Sequence, residues 1–131
     1  MSQSAHVQSI QALGDLKGAL ARFAGESQEA LQVAEQEIRR TEEWLQERLN
    51  HWRNEVQRRQ EEVRQAEADL DEFLAAEERD CGHYERALHQ AQIRMQEAEA
   101  ELRNARRWTT AVGEAATVYR VQAQRLRRLL S

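Results

Sequence analysis

The sequence predicts an all-α chain: a long antiparallel coiled-coil hairpin with a short N-terminal helix packed at its open end. Three observations carry that expectation. The 131 residues contain no proline and only five glycines, so nothing removes a backbone donor or clashes with a preceding helical turn. Charged residues make up 32 % and aromatics 5 %, in a chain rich in Ala, Glu, Gln, Arg and Leu, the composition of long or coiled-coil helices. Apolar residues recur at alternating three- and four-residue steps on both sides of one polar, glycine-bearing break. The length allows one helical domain, residues 1–131, and its apolar content supports a narrow seam rather than a thick core.

The first element is a helix over 4–24. Its stripe is Val7, Ile10, Leu13, Leu16, Leu20 and Phe23. Extending the downstream heptad backwards puts Ala24 and Lys17 on the seam, so the register is expected to break near Gly25. Ala24-Gly25-Glu26-Ser27 then reads as a stop followed by a new N-cap at Ser27.

A long helix follows over 27–79. One heptad set is Leu31, Ile38, Leu45, Trp52, Arg59, Ala66 and Phe73. The other is Glu35, Glu42, Leu49, Val56, Val63 and Leu70. Arg59 on this seam is expected to pack its stem and snorkel its guanidinium outward. The turn is placed at 80–83, Asp80-Cys81-Gly82-His83, with Gly82 free to take a left-handed, helix-ending conformation.

The last helix, 84–130, carries two unbroken sets. They are Tyr84, Ala91, Ala98, Ala105, Val112, Tyr119, Leu126 and Leu88, Met95, Leu102, Thr109, Ala116, Ala123, Leu130. Folding the hairpin so that Phe73 meets Leu88 places Leu70 opposite Ala91, Val63 opposite Ala98 and Val56 opposite Ala105. Large residues then repeatedly face alanines, as closely approaching helices require.

Extra apolar surface gathers at the open end, as Ala30, Val33, Ala34 and Trp44 before the turn and Trp108, Ala111, Ala115 and Val118 after it. A helix of about 20 residues spans about 30 Å and matches that end. The expected result is a three-helix base, with residues 53–107 continuing as a two-helix rod. The N-terminal helix docks there within one chain or pairs between chains. Trp44, Trp52 and Trp108 either fill the core of that base or present an aromatic patch, and aromatics are enriched at binding hot spots. The candidate partner-binding residues are therefore Val7, Ile10, Leu20, Phe23, Trp44, Trp52, Trp108 and Val118.

The residues argue against several chemistries. Cys81, His83 and His89 cluster near the turn, but structural zinc wants four ligands at tighter paired spacing. No Glu-x-x-His pair of the di-metal helical-bundle kind exists. Cys81 at a hairpin tip has no pocket in which a base would activate it. The doublets Arg39-Arg40, Arg58-Arg59, Arg106-Arg107 and Arg127-Arg128 are mostly accompanied by acids, and the net charge is -4, so a phosphate backbone is not the expected partner. No stretch approaches the roughly 20 apolar residues of a membrane span. No signal-peptide pattern opens the chain, which points to the cytoplasm or to export without a cleavable signal. The expectation is a non-enzymatic protein with no metal and no cofactor.

The short amphipathic N-terminal helix, the long Ala-, Gln-, Glu- and Arg-rich helices and the scattered tryptophans resemble small helical bacterial proteins of secretion and polymorphic-toxin systems. These are the Trp-x-Gly or Leu-x-Gly hairpin proteins and their helical partners. Ile38 to Leu45 also resembles the Ile-Arg-Arg-Thr-x-x-Trp-Leu segment of certain uncharacterised proteins. The resemblance implies binding to a toxin or secretion component. It transfers no functional residue, because the turn here reads Asp80-Cys81-Gly82-His83 without tryptophan. The function expected is a protein–protein interaction module or adaptor, with a homo-oligomeric structural subunit as the alternative.

Overall fold

A computed structural model describes residues 2–76 and 80–131. Among them there are two helices and no strand: α1, Ser2–Ala75, and α2, Gly82–Leu130. The two helices are packed together. Residues 77–79, the last of the helix expected over 27–79, lie outside the described residues.

The expected break at Gly25 does not occur. α1 is continuous over 74 residues, so the separate helix over 4–24 and the new start at Ser27 are both corrected. One glycine lowers helix propensity by only about 1 kcal/mol, and strong helix formers surround it. Ala24 and Ser27 are half-buried within the helix, so the seam extends back past Gly25.

The connection also lies earlier than expected. α1 ends at Ala75, where the Ala76 amide donates to the Glu72 and Phe73 carbonyls at 3.1 and 3.2 Å. Asp80 Oδ1 accepts from the Gly82 amide at 3.0 Å, and the Cys81 carbonyl accepts from the Glu85 amide at 2.9 Å. Gly82 therefore opens α2 rather than closing α1. The Asp80 carboxylate satisfies one of the free amides of the helix start, that of Gly82.

Contacts divide the chain into two compact units, residues 41–114 and residues 1–40 with 115–131. In the first, Leu49, Leu102 and Ala105 form a buried cluster on which Trp52 and Val56 pack. Leu45, Val63 and Ala98 are also buried, Ala98 with no exposed surface at all. The chain directions are opposed, since Phe73 meets Tyr84 at 4.6 Å between ring centres while Arg59 reaches Arg94. Phe73 thus sits beside Tyr84, one helical turn before Leu88, in keeping with the earlier connection.

Arg59 departs from its expected outward course. Its Nη1 donates to the Arg94 carbonyl at 2.8 Å, its Nε donates to Glu55 Oε2 at 3.1 Å, and its side chain is only 16 % exposed. Glu62 pairs with Arg94 across the same helices at 3.1 Å.

In the other unit, Ala116 and Ala123 are buried and Leu31, Ile38, Tyr119 and Leu130 are half-buried. Arg120 Nε donates to Glu35 Oε1 at 3.0 Å, tying α2 to α1. At 1.5 Å per residue the α1 share of this unit is roughly 58 Å long and the α2 share roughly 24 Å. The shorter segment cannot cover the longer one, and residues 4–17 of α1 are exposed throughout.

Candidate functional site

The N-terminal stripe follows from helical spacing alone. Leu13, Leu16, Leu20 and Phe23 alternate steps of three and four, so they form one line along α1, with Ile10 and Val7 curving away from it. Val7 is 53 % exposed, Leu20 57 % and Phe23 60 %, and Ile10, Leu13 and Leu16 fall in the same range. The stripe does not pack into a three-helix base. Continuity of α1 prevents residues 4–24 from turning back along their own helix. On α2 in the same unit, Val118 is also exposed.

Trp44 and Trp108 likewise depart from a core role, whereas Trp52 packs on the buried cluster. Trp44 and Trp108 are about as exposed as the stripe, and only Trp52 is half-buried. All three line a groove of about 520 Å³ in the unit of residues 41–114. Its α1 wall comprises Thr41, Trp44, Leu45, Arg48 and Trp52, and its α2 wall Glu101, Asn104, Ala105, Trp108 and Val112. The Arg48 guanidinium lies 5.9 Å from the Trp44 ring centre and 5.7 Å from that of Trp52. That cation–π arrangement uses the indole faces to hold a charge at the groove edge. The His51 ring meets Trp52 edge-on at 4.9 Å. Sequence reasoning missed Arg48, although the four-residue steps Trp44, Arg48, Trp52 already place the three on one face. Of the candidate residues, the structure thus gathers the tryptophans in one unit and Val7, Ile10, Leu20, Phe23 and Val118 in the other.

Several charged side chains outside the groove are engaged locally. Arg58 pairs with Glu55 at 2.8 Å and with Glu62 at 3.2 Å, and Arg39 and Arg40 pair with Glu35 and Glu37. The hydrogen bond from Arg58 holds the Glu55 carboxyl down to about 2 against partial burial, with Arg59 helping. Partial burial pushes the Glu35 carboxyl up, but Arg120 and Arg39 outweigh it and hold it below its ordinary value.

Near the turn, the Cys81 thiol donates to Glu85 Oε1 at 3.0 Å. That bond, partial burial and the nearby carboxylates all push the thiol pKa up, opposite to what a nucleophile needs. His83 packs its ring against Tyr84 at 5.4 Å. Among the described residues, no three His, Cys, Asp or Glu side chains converge in a way that would hold a metal ion, and no helix is long and apolar enough to cross a membrane.

Comparison with protein-family models, with curated proteins and with solved structures gives no match to this chain.

Proposed function

We propose that this chain is a non-enzymatic protein-interaction module, a coiled-coil hairpin whose N-terminal segment docks on another polypeptide. One observation carries the reading: Val7, Ile10, Leu13, Leu16, Leu20 and Phe23 are all more than half exposed on one helix. The four in line, Leu13, Leu16, Leu20 and Phe23, at roughly 100 Å² each make a patch of roughly 400 Å², within the range of a monomer's largest and often functional patch. The hydrophobic effect favours covering such a surface. The coiled-coil part rests on two heptad seams whose members are buried or half-buried over most of both helices. The raised Cys81 thiol and the edge-on packing of His83 favour a binding role over a catalytic one.

The test is capture by the immobilised full chain, with Leu16→Glu/Leu20→Glu as control. The reading expects association with itself or with a toxin or secretion component, and loss of that association in the variant. Equal capture by both proteins would remove the stripe from the reading. The alternative, a structural subunit of a homo-oligomer, is favoured by a second uncovered surface on the same chain, the tryptophan groove.

A further inference from the structure

We propose that the N-terminal stripe of one copy docks into the tryptophan groove of a second copy. This rests on the reading of the stripe as a docking face and names its partner.

Each surface is apolar and uncovered, and each fits the other in length. Leu13 to Phe23 extends roughly 15 Å at the helical rise, and the α1 wall of the groove, Thr41 to Trp52, extends roughly 16 Å. The groove volume of about 520 Å³ is of the size that receives whole side chains. Helix-in-groove docking uses anchors at i, i+3, i+4 and i+7. Leu13, Leu16 and Leu20 have that spacing, and Phe23 continues it.

The charges also match. Viewed down the line Leu13–Leu16–Leu20–Phe23, Lys17 lies on one flank and Asp15 and Glu26 lie on the other, with Arg22 behind them and its guanidinium over Gly18. The groove has Arg48 on its α1 wall and Glu101 on its α2 wall. Among the described residues neither Arg48 nor Glu101 forms an ion pair, and the same holds for Asp15, Lys17 and Glu26. One orientation of the docked helix sets Lys17 against Glu101 and the acidic flank against Arg48. Such rim charges fix register and orientation.

The contact must form between copies. α1 is continuous from Ser2 to Ala75, so residues 13–23 cannot fold back on to residues 41–52 of their own helix. Two copies can exchange stripes reciprocally, each burying its stripe in the other's groove, which closes the assembly as a dimer.

The experiment is light scattering coupled to size exclusion on the full chain, with a stripe variant, Leu16→Glu/Leu20→Glu, and a groove variant, Trp44→Ala/Trp108→Ala. All four substituted side chains are exposed, and circular dichroism confirms that each variant keeps its helices. The wild type is expected at twice the chain mass of 15.3 kDa. Each variant alone is expected as a monomer, and an equal mixture of the two as a heterodimer held by the one intact stripe and groove. Lys17→Glu and Glu101→Lys should each weaken the dimer about tenfold, and combining them should restore most of the loss. A wild-type monomer overturns the proposal, leaving the docking reading to the capture experiment. A multimer that the stripe variant dissolves and the groove variant does not also overturns it, while the docking reading stands. A multimer that neither variant dissolves overturns both.

Discussion

Glu55 accepts hydrogen bonds from Arg58 and Arg59 and titrates at about 2 instead of 4.5. A carboxylate held down in the folded state stabilises it fully above the unfolded value and loses that contribution as pH falls through the folded one. Glu35, lowered by Arg120 and Arg39, has the same sign. Thermal unfolding followed by circular dichroism should therefore be flat from neutral pH to about pH 5 and fall steadily from there towards pH 2. Glu55→Gln should flatten part of that fall. Among the described residues no hydrogen-bond partner reaches the buried Tyr119 hydroxyl. A buried unsatisfied polar group costs about 1–3 kcal/mol, so Tyr119→Phe should leave stability unchanged or raise it by about 1 kcal/mol in chemical denaturation. Cys81, its thiol pKa raised by Glu85, should alkylate with iodoacetamide more slowly than free cysteine at neutral pH. Glu85→Gln should speed that reaction, as read by mass spectrometry.

Continuity through Gly25 is the decisive feature at the scale of the element. Nothing lies within 4 Å of a Cβ built there, and the residue is helical. Gly25→Ala should stabilise α1 by about 1 kcal/mol, because it removes backbone freedom from the unfolded chain without a clash. A loss of stability on that change would mean that the helix breaks there after all. Ala98, with no exposed surface, marks where the two helices approach closely. Ala98→Leu should cost about 1–3 kcal/mol by overpacking, measured in the same denaturation experiment.

At the scale of the whole molecule, burial is unevenly distributed. Leu45, Leu49, Val63, Ala98, Leu102 and Ala105 are buried, whereas residues 4–17 carry no buried or half-buried side chain. Helices gain most of their stability from tertiary packing. Amide hydrogen exchange should therefore be slowest over 45–63 and 98–105 and fastest over 4–23 when the chain is dilute. Raising the concentration should slow exchange over 4–23 if that segment finds a second copy.

The buried positions were legible in the sequence because a helical repeat with alternating three- and four-residue steps has only one face to bury, although Leu126, on the same repeat, is exposed. Leu45, Leu49, Val63, Ala98, Leu102, Ala105, Ala116 and Ala123, all seam positions by periodicity, are the buried residues of the structure. The exposed candidates were equally legible as apolar, since Val7, Phe23, Trp44 and Trp108 stand off that seam. What covers them was not. Periodicity assigns a face to a side chain but not a neighbour, and a glycine such as Gly25 permits a break without requiring one. Whether the helix continues depends on small propensities summed over many residues, against the packing a break would gain. The tertiary structure alone decided that α1 runs unbroken, that Asp80 starts α2 two residues after itself, and that Arg48 rests on two indoles. Each of these depends on which groups meet across space, a quantity that spacing along the chain does not contain.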